Sequence, residues 1–155
     1  MTLRAALAAL AVLALSACGA SRYTVLRTSA DVEFEAGDWT LLPIEAPEGV
    51  SVQSVRAGML EALAQDASAY RLAPGDQPSA GAMGVRLVVE QLSLEGPTPS
   101  MEARVAFVDS TGATPDEISL SITLDAPGSD PATALGQELG RRTAHFIHSR
   151  EHHHY

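Results

Sequence analysis

Lysine is missing from this 155-residue chain, and all ten basic side chains are arginine. That excludes Schiff-base chemistry and any lysine acting as a general base. Cysteine occurs once, at Cys18, which excludes an internal disulfide and a multi-cysteine metal site. Positive charge is scarce beside 19 acidic residues, for a formal charge of −9. An acidic chain without a basic cluster is a poor partner for nucleic acid or an anionic lipid surface. Motifs of familiar chemistry are also missing: no Gly-x-Ser-x-Gly, no phosphate-cradling Gly-x-x-x-x-Gly-Lys, no Gly-x-Gly-x-x-Gly and no His-Glu-x-x-His. Enzyme classes built on those motifs are therefore not expected.

What remains is globular in composition. With 46% hydrophobic and 19% charged residues, the chain has enough apolar surface to fold, and its length suits one compact domain.

The first residues differ from the rest. Arg4 is followed by an apolar run from Ala5 to Leu15 and then by Leu15-Ser16-Ala17-Cys18-Gly19. A short basic segment, an apolar stretch and small residues before a cut site make a secretory signal peptide. The run falls short of the ~20 apolar residues that a membrane-spanning helix needs. Leu15-Ser16-Ala17-Cys18 resembles the lipobox of bacterial lipoproteins at all four positions. The resemblance implies removal of residues 1–17 and attachment of diacylglycerol to Cys18. The covalent lipid is the sole expected prosthetic group, and it makes the membrane a partner. More than one acyl chain holds a small domain firmly, at about 0.8 kcal/mol per buried CH2. Gly19, where an Asp would imply inner-membrane retention, implies the periplasmic face of the outer membrane.

Residues 18–38 read as a lipidated N-terminus and tether, with short strand patterns at 23–26 and 32–35. A single domain is expected over 39–150. Trp39–Ile44 reads as a strand limited by Pro43. Ser51 is placed to cap a helix to Asp66 with Val52, Val55, Met59, Ala62 and Leu63 on one face. Short apolar runs at 70–73 and 85–94 are strands, the second apolar on both faces and so central. Met101, Ala103, Val105 and Phe107 alternate with partners in the next strand. Asp109–Gly112 forms a hairpin turn. Ile118, Leu120, Ile122 and Leu124 alternate with polar residues. Asp130-Pro131 opens a last helix to about Arg150, with Ala132, Leu135, Leu139, Thr143 and Phe146, joined by Ile147, as its stripe.

This order predicts an α+β two-layer sandwich, a mostly antiparallel sheet of about five strands with two amphipathic helices on one face. The order, together with Ala-Arg-Val-Ala-Phe-Val-Asp-Ser-Thr-Gly at 103–112, resembles small envelope-lipoprotein domains related to the curli-channel subunit CsgG, the activator LpoB and the N-terminal domain of TolB. That resemblance implies the fold and carries no functional residue with it.

Histidines are the remaining candidates for chemistry. His145 and His148 stand three apart on the last helix, and His152, His153 and His154 lie in a tail at 151–155. Histidines at that spacing can share a metal, although a polar helix face followed by a frayed terminus is the simpler account. Glu33 and Glu35 share a strand face, and Asp109, Asp116 and Glu117 read as loop-capping and solubilising residues. Trp39, Tyr70, Phe107 and Phe146 read as core. The expected function is a non-catalytic accessory or scaffold subunit of a cell-envelope assembly with an envelope protein partner. The alternative is an auxiliary lipoprotein binding lipid or glycolipid in an ABC-type lipid transport or lipopolysaccharide-assembly system.

Overall fold

A computed structural model describes residues 20–126 and 128–151. Within them the chain runs β1 (Ala20–Arg27), β2 (Gly37–Leu41), α1 (Gln53–Asp66), β3 (Tyr70–Pro74), β4 (Gly84–Ser93), β5 (Ser100–Val108), β6 (Asp116–Thr123) and α2 (Pro131–Ser149). The strands form one sheet in the order β1-β6-β5-β4-β2-β3. The fold is α+β.

Alternation sets the register of the sheet. Met101, Ala103 and Val105 of β5 face Ile122, Leu120 and Ile118 of β6, while Val89, Leu87 and Val85 of β4 face Ala103, Val105 and Phe107. All of these side chains are buried. A slip of one residue would send the whole set to water, so the hydrophobic pattern itself fixes the pairing. Above this face lie Val55, Met59 and Leu63 of α1 and Leu135, Leu139, Phe146 and Ile147 of α2, in one continuous core. Each large side chain so buried contributes about 1.5–3 kcal/mol.

The two helices touch backbone to backbone. A methyl group at Gly58 would stand 2.2 Å from the Thr133 carbonyl oxygen, one at Gly136 2.1 Å from that of Val55, and one at Gly140 2.6 Å from that of Met59. The pairs advance together along both helices, so α1 and α2 run parallel. Asp130 starts α2: its carboxylate accepts from Thr133 N at 3.2 Å and from Thr133 Oγ1 at 2.6 Å. The Thr133 hydroxyl holds this carboxyl below its ordinary range.

Among the described residues the sheet has six strands, close to the five or so expected, and most of its pairings are antiparallel (β1 with β6, β6 with β5, β5 with β4). It is mixed because β2 is parallel to both β3 and β4, α1 carrying the chain back before β3 begins. Other expectations need correction. The segment expected as a tether enters the fold, since β1 pairs antiparallel with β6 from Ala20 to Arg27. The sheet therefore begins well before residue 39. Ser51 does not cap α1; Val52 holds that position and no side-chain cap bond is made there. Residue 151, expected to open a tail, belongs to the fold: Glu151 bridges to Phe34 and accepts from the Tyr70 hydroxyl at 3.0 Å. The signal segment 1–17, Cys18 and His152–His154 lie outside the described residues.

Candidate functional site

The helices cover one face of the sheet, and the other carries the polar half of each alternating strand. There Arg104 of β5 reaches Glu90 of β4 at 2.5 Å and Glu117 of β6 at 3.1 Å. The hydrogen bond to Glu90, with that to Glu117, holds its guanidinium above its ordinary range, against partial desolvation. Ser121 Oγ donates to Glu102 at 2.8 Å. Next to these, Arg22, Thr24, Glu102, Ser119 and Ser121 line a shallow hollow of about 250 Å³. Mixed charge already paired within the face suits contact with another polar surface.

This face ends at β1, a sheet edge eight residues long. Val25 and Leu26 on it are 45% and 52% exposed. Such an edge offers unpaired backbone N–H and C=O groups and apolar side chains together, a template for strand addition. The opposite edge, β3, is five residues long and ends at Pro74, which cannot donate a ladder bond. The strand pattern at 23–26 is legible in the sequence, but its edge position is not.

β1 is fastened to α2 by polar side chains. Ser21 Oγ donates to Glu138, and Arg142 Nε donates to Ser21 Oγ at 2.8 Å. Burial raises the Glu138 carboxyl, but Ser21, Arg141 and Arg142 outweigh it and leave the group below its ordinary range. Tyr23 Oη and His145 Nδ1 share a hydrogen bond of 2.8 Å.

The two histidines among the described residues are engaged in structure. His145 bonds Tyr23, whereas His148 donates through Nδ1 to Glu151 at 2.7 Å and through Nε2 to the Asp66 carbonyl at 2.6 Å. Both partners of His148 only accept, so both ring nitrogens carry protons in this arrangement. The bond to Asp66 first, and Glu151 after it, raise its pKa. Among the described residues no group of three or more His, Cys, Asp or Glu stands where it could hold a metal.

Asp116 is another departure from the sequence reading. It is fully buried, with Arg150 Nε 3.1 Å from its Oδ1 and Thr28 Oγ1 donating at 2.9 Å. Arg150 also donates to the Ser29 and Val32 carbonyls, so the end of α2 locks the 28–34 segment onto the start of β6. Asp109 does what its sequence context implies, accepting from Thr111 N at 2.9 Å and Ala113 N at 3.0 Å.

The four core aromatics gain a fifth. Phe34 packs against Trp39, Phe107 and Phe146 with ring centroids 5.2, 4.9 and 6.0 Å away. Burial and Glu151 raise the Tyr70 hydroxyl well above its usual range. A larger cleft, about 650 Å³, opens at the ends of β2 and β3 beside the start of α1, where Leu41, Pro43, Ile44, Arg56 and Asp76 line it. Leu41 in its wall belongs to the core, and Ile44 packs against that core. No helix among the described residues is long and apolar enough to cross a membrane.

No protein-family model matches the chain, and no curated protein matches it. Solved structures do. A variant of PelC from Paraburkholderia phytofirmans, a dodecamer, superposes with a TM-score of 0.53 at 19% identity, over 80% of this chain and 95% of that one. A second crystal form of the PelC dodecamer from the same organism gives 0.51 at 14% identity, over 87% and 99%. At this identity the likeness is one of fold, which this chain shares with PelC.

Proposed function

We propose that the chain is a non-catalytic subunit of a cell-envelope assembly, anchored by lipid on Cys18 to the periplasmic face of the outer membrane. Its working surface is the β1 edge with the adjoining polar sheet face. The observation that carries this reading is the exposed pair Val25 and Leu26 on an open edge strand, where another strand can add by main-chain hydrogen bonds. The partner is another copy of the chain. The shared fold with dodecameric PelC supports that choice, as does the presence of two unlike sheet edges, since unlike surfaces meeting head to tail form rings when the rotation between copies closes.

Native mass spectrometry of the mature chain in detergent tests this. The unaltered chain is expected as an oligomer bearing a diacylglyceryl adduct, and Val25→Asp with Leu26→Asp is expected to give folded monomers. A monomeric unaltered chain would sink the choice of partner, and one that also captures no envelope protein by crosslinking would sink the proposal. The lipid-handling alternative needs an apolar groove between helices and sheet; Val55, Met59, Leu135 and Leu139 are fully buried, which leaves the cleft beside the start of α1 as the place for it.

A further inference from the structure

We propose that the end of the domain where β1 begins lies flat on the membrane, against a zwitterionic lipid surface. The inference rests on the anchor reading above and adds to it which face of the domain meets lipid. Cys18 precedes Ala20, the first residue of β1, by two positions. An extended chain spans at most about 3.3–3.6 Å per residue. Lipid on Cys18 therefore holds the start of the sheet within about 7 Å of the headgroups.

β1 cannot swing away to lengthen that arm. It is paired to β6 along its length and tied to α2 through Ser21, Glu138 and Arg142. The anchor thus sets the attitude of the whole domain.

The register shows what else stands at that end. Ala20 is opposite Thr123, Thr123 opposite Ser100, and Ser100 opposite Ser93. The 94–99 connection and residues 124–126 and 128–130 therefore project beyond the same rim, joined by Leu124 N donating to the Pro99 carbonyl at 2.9 Å. Gly49–Ser51 stand beside Leu92–Glu95 across a cleft of about 440 Å³. The opposite rim, with the Asp109–Gly112 turn, lies a full strand away: eight residues of β6, about 26 Å at ~3.3 Å per residue.

The chemistry of the near rim selects the surface. Leu94 is 38% exposed, and Pro97 is exposed close by. Glu48, Glu95, Asp125 and Asp130 are exposed there too; residues 45–52, 94–99 and 124–130 contain no arginine, and the exposed Arg22 near the start of β1 offsets one of these four carboxylates. Anionic headgroups would repel such a rim. Acyl chains hold it down, and a zwitterionic surface tolerates it.

The test uses the full lipidated chain in phosphatidylcholine vesicles with a fluorophore at Thr98→Cys or Ser110→Cys, the thioether of Cys18 being unreactive. A lipid-borne nitroxide is expected to quench the label at position 98 several-fold more than the label at 110, and added phosphatidylglycerol is expected to weaken the quenching at 98. A lipidated chain quenched equally at both positions, or more at 110, overturns the orientation while the anchor reading stands. Quenching at 98 that holds or grows with phosphatidylglycerol overturns the zwitterionic surface. A chain without the lipid mass that does not float with vesicles overturns the anchor reading and this inference together.

Discussion

Gly136 rests directly on the backbone of Val55: a methyl group added at 136 would stand 2.1 Å from the Val55 carbonyl oxygen and 2.8 Å from its carbon. Both neighbours are helix backbone, so neither can move aside by changing rotamer. Gly136→Ala is expected to destabilise the domain by about 1–3 kcal/mol through overpacking. The better helix propensity of alanine, worth about 1 kcal/mol, only partly offsets this. A denaturant melt checks it. An unchanged or higher midpoint would show that the helices do not meet as described.

Asp116 and Arg150 form the second close dependency. Asp116 is fully buried, and the Arg150 side chain is 21% exposed. Removing one partner of a buried pair costs about 3–5 kcal/mol, and partial exposure of Arg150 puts Arg150→Met toward the lower end. Its loss also frees the Ser29 and Val32 carbonyls. Faster proteolysis within 28–34 should accompany the lower midpoint. Asp116→Asn combined with Arg150→Met should cost less than the two singles added together.

His148 makes the stability of the α1–α2 junction depend on pH. Its folded pKa is raised above 6.5, first by the Asp66 carbonyl and then by Glu151. The protonated ring therefore stabilises the fold fully below about pH 6.5. That contribution fades as pH rises through the raised folded value. Proton NMR titration should find His148 above the ordinary histidine range, and Glu151→Gln should lower it. A value at or below 6.5 in the unaltered protein would contradict the geometry.

Arg104 shows how little an exposed network contributes to stability. It pairs with two glutamates, yet its side chain is 42% exposed, and such pairs are worth about 0–1 kcal/mol. Arg104→Ala should leave the denaturation midpoint almost unchanged. A loss above about 2 kcal/mol would show the sheet face to be covered rather than open.

Much of the fold is legible in the sequence because the responsible forces are local. Ile118, Leu120 and Ile122 alternate with polar residues, and Leu135, Leu139 and Phe146 recur at helical spacing, so both elements announce which side turns inward. Asp130-Pro131 marks a helix start by its own chemistry. The small residues Gly136, Gly140 and Ala144 acquire a meaning only from the structure, where Gly136 and Gly140 meet the backbone of α1.

What the sequence determined by itself was the kind of layers, the faces they bury and the lipobox-like stretch ending at Cys18. Tertiary structure alone decided the parallel placement of β2, the edge position of β1, and the burial of Asp116 beneath Arg150. It also decided that His145 and His148 serve β1 and α1 rather than each other. Periodicity records how a segment divides itself between core and water. Which distant segment lies alongside, and which charge is sealed from solvent as a result, depends on contacts across more than a hundred residues, as between Ser21 and Glu138.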